Sequence, residues 1–185
     1  MIQKLLISIL IILTIIIYCQ YYCTYKPNFK ITQTYLDKIN INVLQEKYPI
    51  VIYDQVIEPK ELLKSLFAYS YSISKDIPIL FNNKVFINLS KYLIIYNQIS
   101  DVNIQVIHPR YRKMIKFFNN NNFITSIEDF DKLQQIEYVT IKLKKNQIII
   151  LPQFWLYTSD LPIQAIILQD TISYLINTIY KKLLI

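Results

Sequence analysis

Residues 5–19, LLISILIILTIIIYC, carry no charge, and Gln20, Tyr21 and Tyr22 extend the apolar run to about 18 residues. At a helical rise this reaches about 27 Å, the hydrocarbon thickness of a thin bilayer. The pattern predicts an uncleaved transmembrane anchor over residues 1–23. Tyr18, Tyr21, Tyr22 and Tyr25 fall where the helix leaves the membrane, the depth an amphipathic ring prefers. A cleaved secretory signal would carry small residues at its cleavage site, and YCQYYCTYK offers tyrosines instead. A soluble helix apolar on every face would need protein on all sides.

Residues 24–39, with Pro27 and interspersed Lys and Thr, read as an exposed connector, and residues 40–185 as one domain long enough for its own core. The periodicity of that domain is mostly that of strands. They are expected at 48–56, 69–73, 78–81, 84–88, Tyr92–Tyr96, Val102–Ile107, 137–143, 147–151, 154–157 and Ile163–Leu168. Glu58-Pro59 opens a helix through Ala68, with Leu62, Leu63, Leu66 and Phe67 on one stripe. Asp170 caps a final helix that turns Ile172, Leu175, Ile176, Ile179 and Leu183 inward and ends near Lys181 and Lys182. Residues 119–122, four asparagines, read as a loop tip. Many short strands with few helices predict a mainly β domain, a sandwich or small barrel.

Composition changes this picture by subtraction. The chain has no glycine in 185 residues, where average usage would give about a dozen. The abundant Ile, Asn, Lys and Tyr have A/T-rich codons, so genomic base bias explains the gap without reference to function. The gap still excludes phosphate-cradling loops, dinucleotide fingerprints and nucleophile elbows. Turns must use Asn, Asp, Ser and Pro instead. The only cysteines, Cys19 and Cys23, lie four apart on one helical face at the membrane exit, where lipidation or pairing between chains competes with no role at all.

The stretch KKNQIIILPQFWLYTSDLPIQAIIL is similar to the C-terminal half of cupin-like, JmjC-type double-stranded β-helix proteins, in which a strand rises into a Pro-Pro-x-Trp-Trp-His turn. The upstream KYLIIYNQISDVNIQVIHPRYRK resembles that family's earlier hairpin. The membrane-anchored members in large DNA viruses, whose turn reads more like Pro-Pro-Tyr-Trp-Trp-Tyr, are nearer than any hydroxylase. The resemblance implies a jelly-roll domain with one or two flanking helices behind the anchor. Catalytic members hold iron with two histidines and a carboxylate. Here Tyr157 stands where the distal histidine is expected, and residues 85–90 hold no His-x-Asp pair. The implied function is therefore a membrane-anchored, non-catalytic viral accessory or structural protein that binds a partner. An Fe(II)- and 2-oxoglutarate-dependent oxygenase with an unrecognised metal site is the alternative. Phe154, Trp155 and Tyr157 would line the barrel mouth, although tryptophan in a β turn is more often core.

Other chemistry is sparse. His108 is the sole histidine, which excludes a two-histidine metal site within one chain, and its place in the HPRYR turn reads as structural. No strained serine turn accompanies it to make a triad. Glu128, Asp129 and Asp131 read as a solvated acidic turn, and Glu137 as outward-facing. Neither cofactor nor metal is expected. Arg110, Arg112, Lys113 and Lys116 form a basic run suited to an anionic surface, in a chain of net charge +7, or simply a solvated loop. The domain's own basic excess is too small to predict a nucleic-acid partner. Asn88-Leu89-Ser90 is a glycosylation sequon between two expected strands. Lys4 and the terminal amine oppose Lys26, Lys30 and Lys38 across the anchor; retention of the amino end in the cytosol would place the domain on the luminal or exterior side.

Overall fold

The computed structural model describes residues 2–22, 24–56, 59, 76–79, 83–120, 123–133 and 135–183. The expected helix from residue 58 and the strand at 69–73 lie outside the described residues, as does Cys23. Helix α1 (Ile2–Tyr22) is the one described helix long and apolar enough to cross a membrane, and none of its Gln3–Gln20 window is buried.

Among the described residues twelve strands follow in two sheets. The first has the order β1 (Thr32–Thr34), β2 (Ile50–Ile52), β10 (Ile148–Pro152), β5 (Tyr92–Tyr96), β12 (Ile163–Leu168), β3 (Asp76–Ile79). The second runs β7 (Phe117–Asn120), β8 (Phe123–Asp129), β4 (Lys84–Ile87), β11 (Leu156–Ser159), β6 (Val102–Ile107), β9 (Tyr138–Leu143). Short helix α2 (Ile41–Gln45) is capped by Asn40, whose side chain accepts from the Val43 amide. Helix α3 (Thr171–Leu183) closes the chain.

The two sheets pack face to face. Leu93, Ile95, Ile149, Leu151 and Ala165 of the first meet Phe86, Ile104, Val106, Leu143, Trp155 and Tyr157 of the second. Runs such as QIIIL are apolar at every position because both faces are covered. Ile94, Ile148, Ile150 and Ile166 point outward from the first sheet onto Ile39 and Leu44. Val85, Ile87, Ile107 and Leu156 point outward from the second onto Ile115, Ile136 and Leu133. Each such buried side chain contributes about 1.5–3 kcal/mol.

The expected cupin-like double-stranded β-helix is corrected by this arrangement. Among the described residues no strand is shared between the sheets, and the outer strands are β1 and β3 in one and β7 and β9 in the other. Strands β1 and β7 extend their own sheets sideways instead of curling them together, so no closed barrel forms. The mainly β expectation is corrected too, since helix and strand occur in about equal measure, α1 alone running 21 residues. With the barrel goes the resemblance, and with that its implication of a cupin-like, JmjC-like viral component.

Strand register fixes the two ends of the sandwich. Tyr92 pairs with both Pro152 and Leu168, and Leu156 pairs with both Ile107 and Ile87. Residues 152–156 cross from β10 to β11, so Asn88, Lys91, His108 and Asp170 gather at one end. The turns around Asn97, Asn146 and Pro162 meet at the other, where the Asn146 amide donates to Asn97 O and Asn97 Nδ2 to Pro162 O.

Candidate functional site

The chain leaving α1 is fastened to the near end of the sandwich at two places. At the first, Tyr18, in the last turns of α1, donates its hydroxyl to Asp170, 2.7 Å from Oδ1 and 2.6 Å from Oδ2. Lys91 adds a 2.9 Å ion pair to the same carboxylate, with both side chains largely buried. Asp170 also caps α3: Oδ1 accepts from the Ser173 amide, and Ser173 Oγ accepts from the Asp170 amide. Burial works to raise the Asp170 pKa, but the hydrogen bonds from Tyr18 and Ser173 and the Lys91 ammonium outweigh it, holding the carboxyl below its ordinary value.

At the second place, His108 is fully buried where β6 ends. The Arg110 amide can only donate, so Nδ1 accepts from it at 3.2 Å; the Lys26 carbonyl can only accept, so Nε2 carries the proton toward it at 2.9 Å. Both nitrogens are thereby committed to one neutral tautomer. Desolvation lowers the His108 pKa, opposed by the bond to Lys26 O and assisted by the nearby Arg110 charge. Tyr25, Phe29 and Trp155 surround the imidazole, with ring centroids 5.5, 5.8 and 5.2 Å away. Phe29 also packs on Trp155 at 5.7 Å, so the segment read as a connector is stitched into the domain. Its β1 pairs in parallel with β2.

The residues expected at a barrel mouth lie within the packing. Phe154, Trp155 and Tyr157 are each about 1% exposed, and Phe154 faces away from the other two into the outer cluster of the second sheet. Trp155 Nε1 donates to Lys47 O at 3.2 Å, and Tyr157 stacks on Phe86 at 5.7 Å. Burial pushes the Tyr157 phenol well above its ordinary pKa, so it stays neutral. The oxygenase alternative is corrected: among the described residues no group of three or more His, Cys, Asp or Glu side chains is placed to hold a metal ion.

The four residues of the basic run differ in their surroundings. Arg110 pairs with Glu137, and Arg112 lies over the Phe154 ring, 4.7 Å from its centroid. Lys113 and Lys116 remain exposed. The acidic turn is likewise occupied, Asp129 by Lys84 at 2.7 Å and Asp131 by Asn83 at 2.5 Å.

Asn88 is 3% exposed and ties the turn between β10 and β11 together. Its Nδ2 donates to Leu151 O at 2.9 Å and Pro152 O at 3.0 Å, while Oδ1 accepts from the Ser90 amide and hydroxyl. Its backbone bonds Trp155 O and the Phe154 amide. The sequon therefore reads, in this geometry, as an Asn-x-Ser turn whose two polar side chains satisfy each other. That signal was present in the triplet. The pairing of Tyr18 with Asp170, 152 residues apart, had none.

Compared with known proteins, the sequence matches no protein-family model and no curated protein.

Proposed function

We propose that this chain is a single-pass membrane protein that holds a non-catalytic β-sandwich directly against the bilayer and presents it to a protein partner. The observation that carries this reading is the double fastening: Asp170 grips α1 inside its last turns, and His108 grips the chain four residues past its end. No free stalk separates span from domain. A tethered enzyme needs an accessible reactive cluster, and the chemistry-bearing side chains at this end, His108 and Asp170, are instead spent on attachment. Lys26, Lys113 and Lys116 are exposed and available to anionic headgroups. The proposed orientation keeps the amino end in the cytosol and the domain on the luminal or exterior side.

Two assays on the intact protein test the reading. It should resist carbonate extraction from membranes, and its domain should be protected from protease added to sealed microsomes. Release by carbonate would remove the spanning role of α1. Digestion from the cytosolic side would reverse the orientation alone.

A further inference from the structure

Helix α3 is packed out of phase with its own sequence. Its apolar stripe runs through Ile172, Leu175, Ile176 and Ile179, yet the side it buries carries Ser173, Ile176 and Asn177. The Asp170 cap sets this rotation, because Ser173 must turn toward the Asp170 backbone and carboxylate to exchange its hydrogen bonds. Half of the stripe is left over, Leu175 54% and Ile179 51% exposed, with Tyr174 beside them at 55%. Thr171 and Thr178 complete that side, and Lys181 and Lys182 follow on it in the last turn of the helix.

Its position says what covers it. The residue that caps α3, Asp170, is hydrogen-bonded to Tyr18, which lies within the Gln3–Gln20 span. The first turn of α3 therefore stands beside the last turns of α1, at the depth where headgroups meet acyl chains. We infer that α3 is an interfacial helix whose Tyr174, Leu175 and Ile179 dip into the same leaflet that α1 leaves. The inference rests on the membrane-spanning role of α1. A mixed aromatic and aliphatic face suits that layer, and Lys181 and Lys182 in the last turn of the helix match anionic lipid.

The full chain, reconstituted in bilayers of phosphatidylcholine and phosphatidylserine with or without bromine on the upper acyl chain, tests this. Leu175→Trp and Ile179→Trp each add one emitter to buried Trp155; Ile99→Trp adds one at the far end of the sandwich, in an exposed turn. Brominated lipid should quench the added emission at 175 and 179 about twofold or more, and leave that at 99 unchanged. Unquenched emission at both α3 positions, from chain that stays with the bilayer, would overturn the inference; a second copy of the chain covering the face gives this result. Chain that fails to enter the bilayer at all would overturn the spanning role of α1 as well.

Discussion

Among the described residues, Lys47, Asn83, Gln135, Asn146 and Phe154 adopt left-handed backbone in a chain that has no glycine to place there. Asparagine tolerates this region, so Asn83 and Asn146 bear out the expectation that asparagine would build the turns. Phe154 does not, and its φ of 69° costs about 1–2 kcal/mol. The cost is met locally by Asn88, which bonds three of the four residues Leu151, Pro152, Phe154 and Trp155 through backbone carbonyls and the fourth through its amide. Asn88→Ala should therefore lower stability by about 2–3 kcal/mol, because it leaves two buried carbonyls unsatisfied. Denaturant unfolding of the variant beside the parent measures this. A glycan on Asn88 Nδ2 would displace the same bonds, so protease protection is the better probe of topology than this sequon.

At the scale of elements, alternation and apolar runs carry most of what the sequence says. Strands β5, β6 and β12 fall on the residues their patterns mark, and β4, β9 and β10 within a residue or two. Strands β7 and β8 are absent from that reading, since Asn-rich and acidic segments resemble loops until sheet pairing satisfies their backbone. Helix α3 shows the other limit. Its cap was legible and its buried face was not, because one hydrogen-bonded serine outweighs the apolar stripe in setting the rotation. Asp170→Asn should cost about 1–2 kcal/mol at pH 7 through the weakened cap and ion pair. The Asp170 carboxyl has a depressed pKa, so its contribution is complete above the unfolded value near 4 and is lost as pH falls through the folded value. The difference between parent and variant should accordingly shrink below about pH 4, which thermal melts across that range would follow.

For the whole molecule, the apolar N-terminal run was sufficient to read a helix long and apolar enough to cross a membrane. How the sheets close was not legible, because pairing across strands distant in sequence is fixed by edges that carry no local mark. His108 joins the two parts, and it does so only when neutral. Its pKa is lowered in the folded protein, so its contribution is present above about pH 6.5, the unfolded value, and declines as pH drops through the folded one. Arg110, the Lys26 carbonyl and the Asn28 backbone are the polar groups that face it. Between pH 7.5 and 5.5 the reconstituted parent should lose thermal stability, whereas His108→Gln should start lower and change little. Equal slopes for the two proteins would remove His108 from the account.

Two fastenings, one within the last turns of α1 and one just past its end, do more than shorten a leash. A domain hung from a single flexible point samples every azimuth about the membrane normal, and most of its collisions with a neighbour present the wrong side. Held by both Tyr18 and Lys26, the sandwich turns only as the helix turns. In the proposed membrane setting, encounters would become a two-dimensional search with tilt and height set in advance, and a modest contact area would suffice for recognition because much of the orientational entropy is surrendered beforehand.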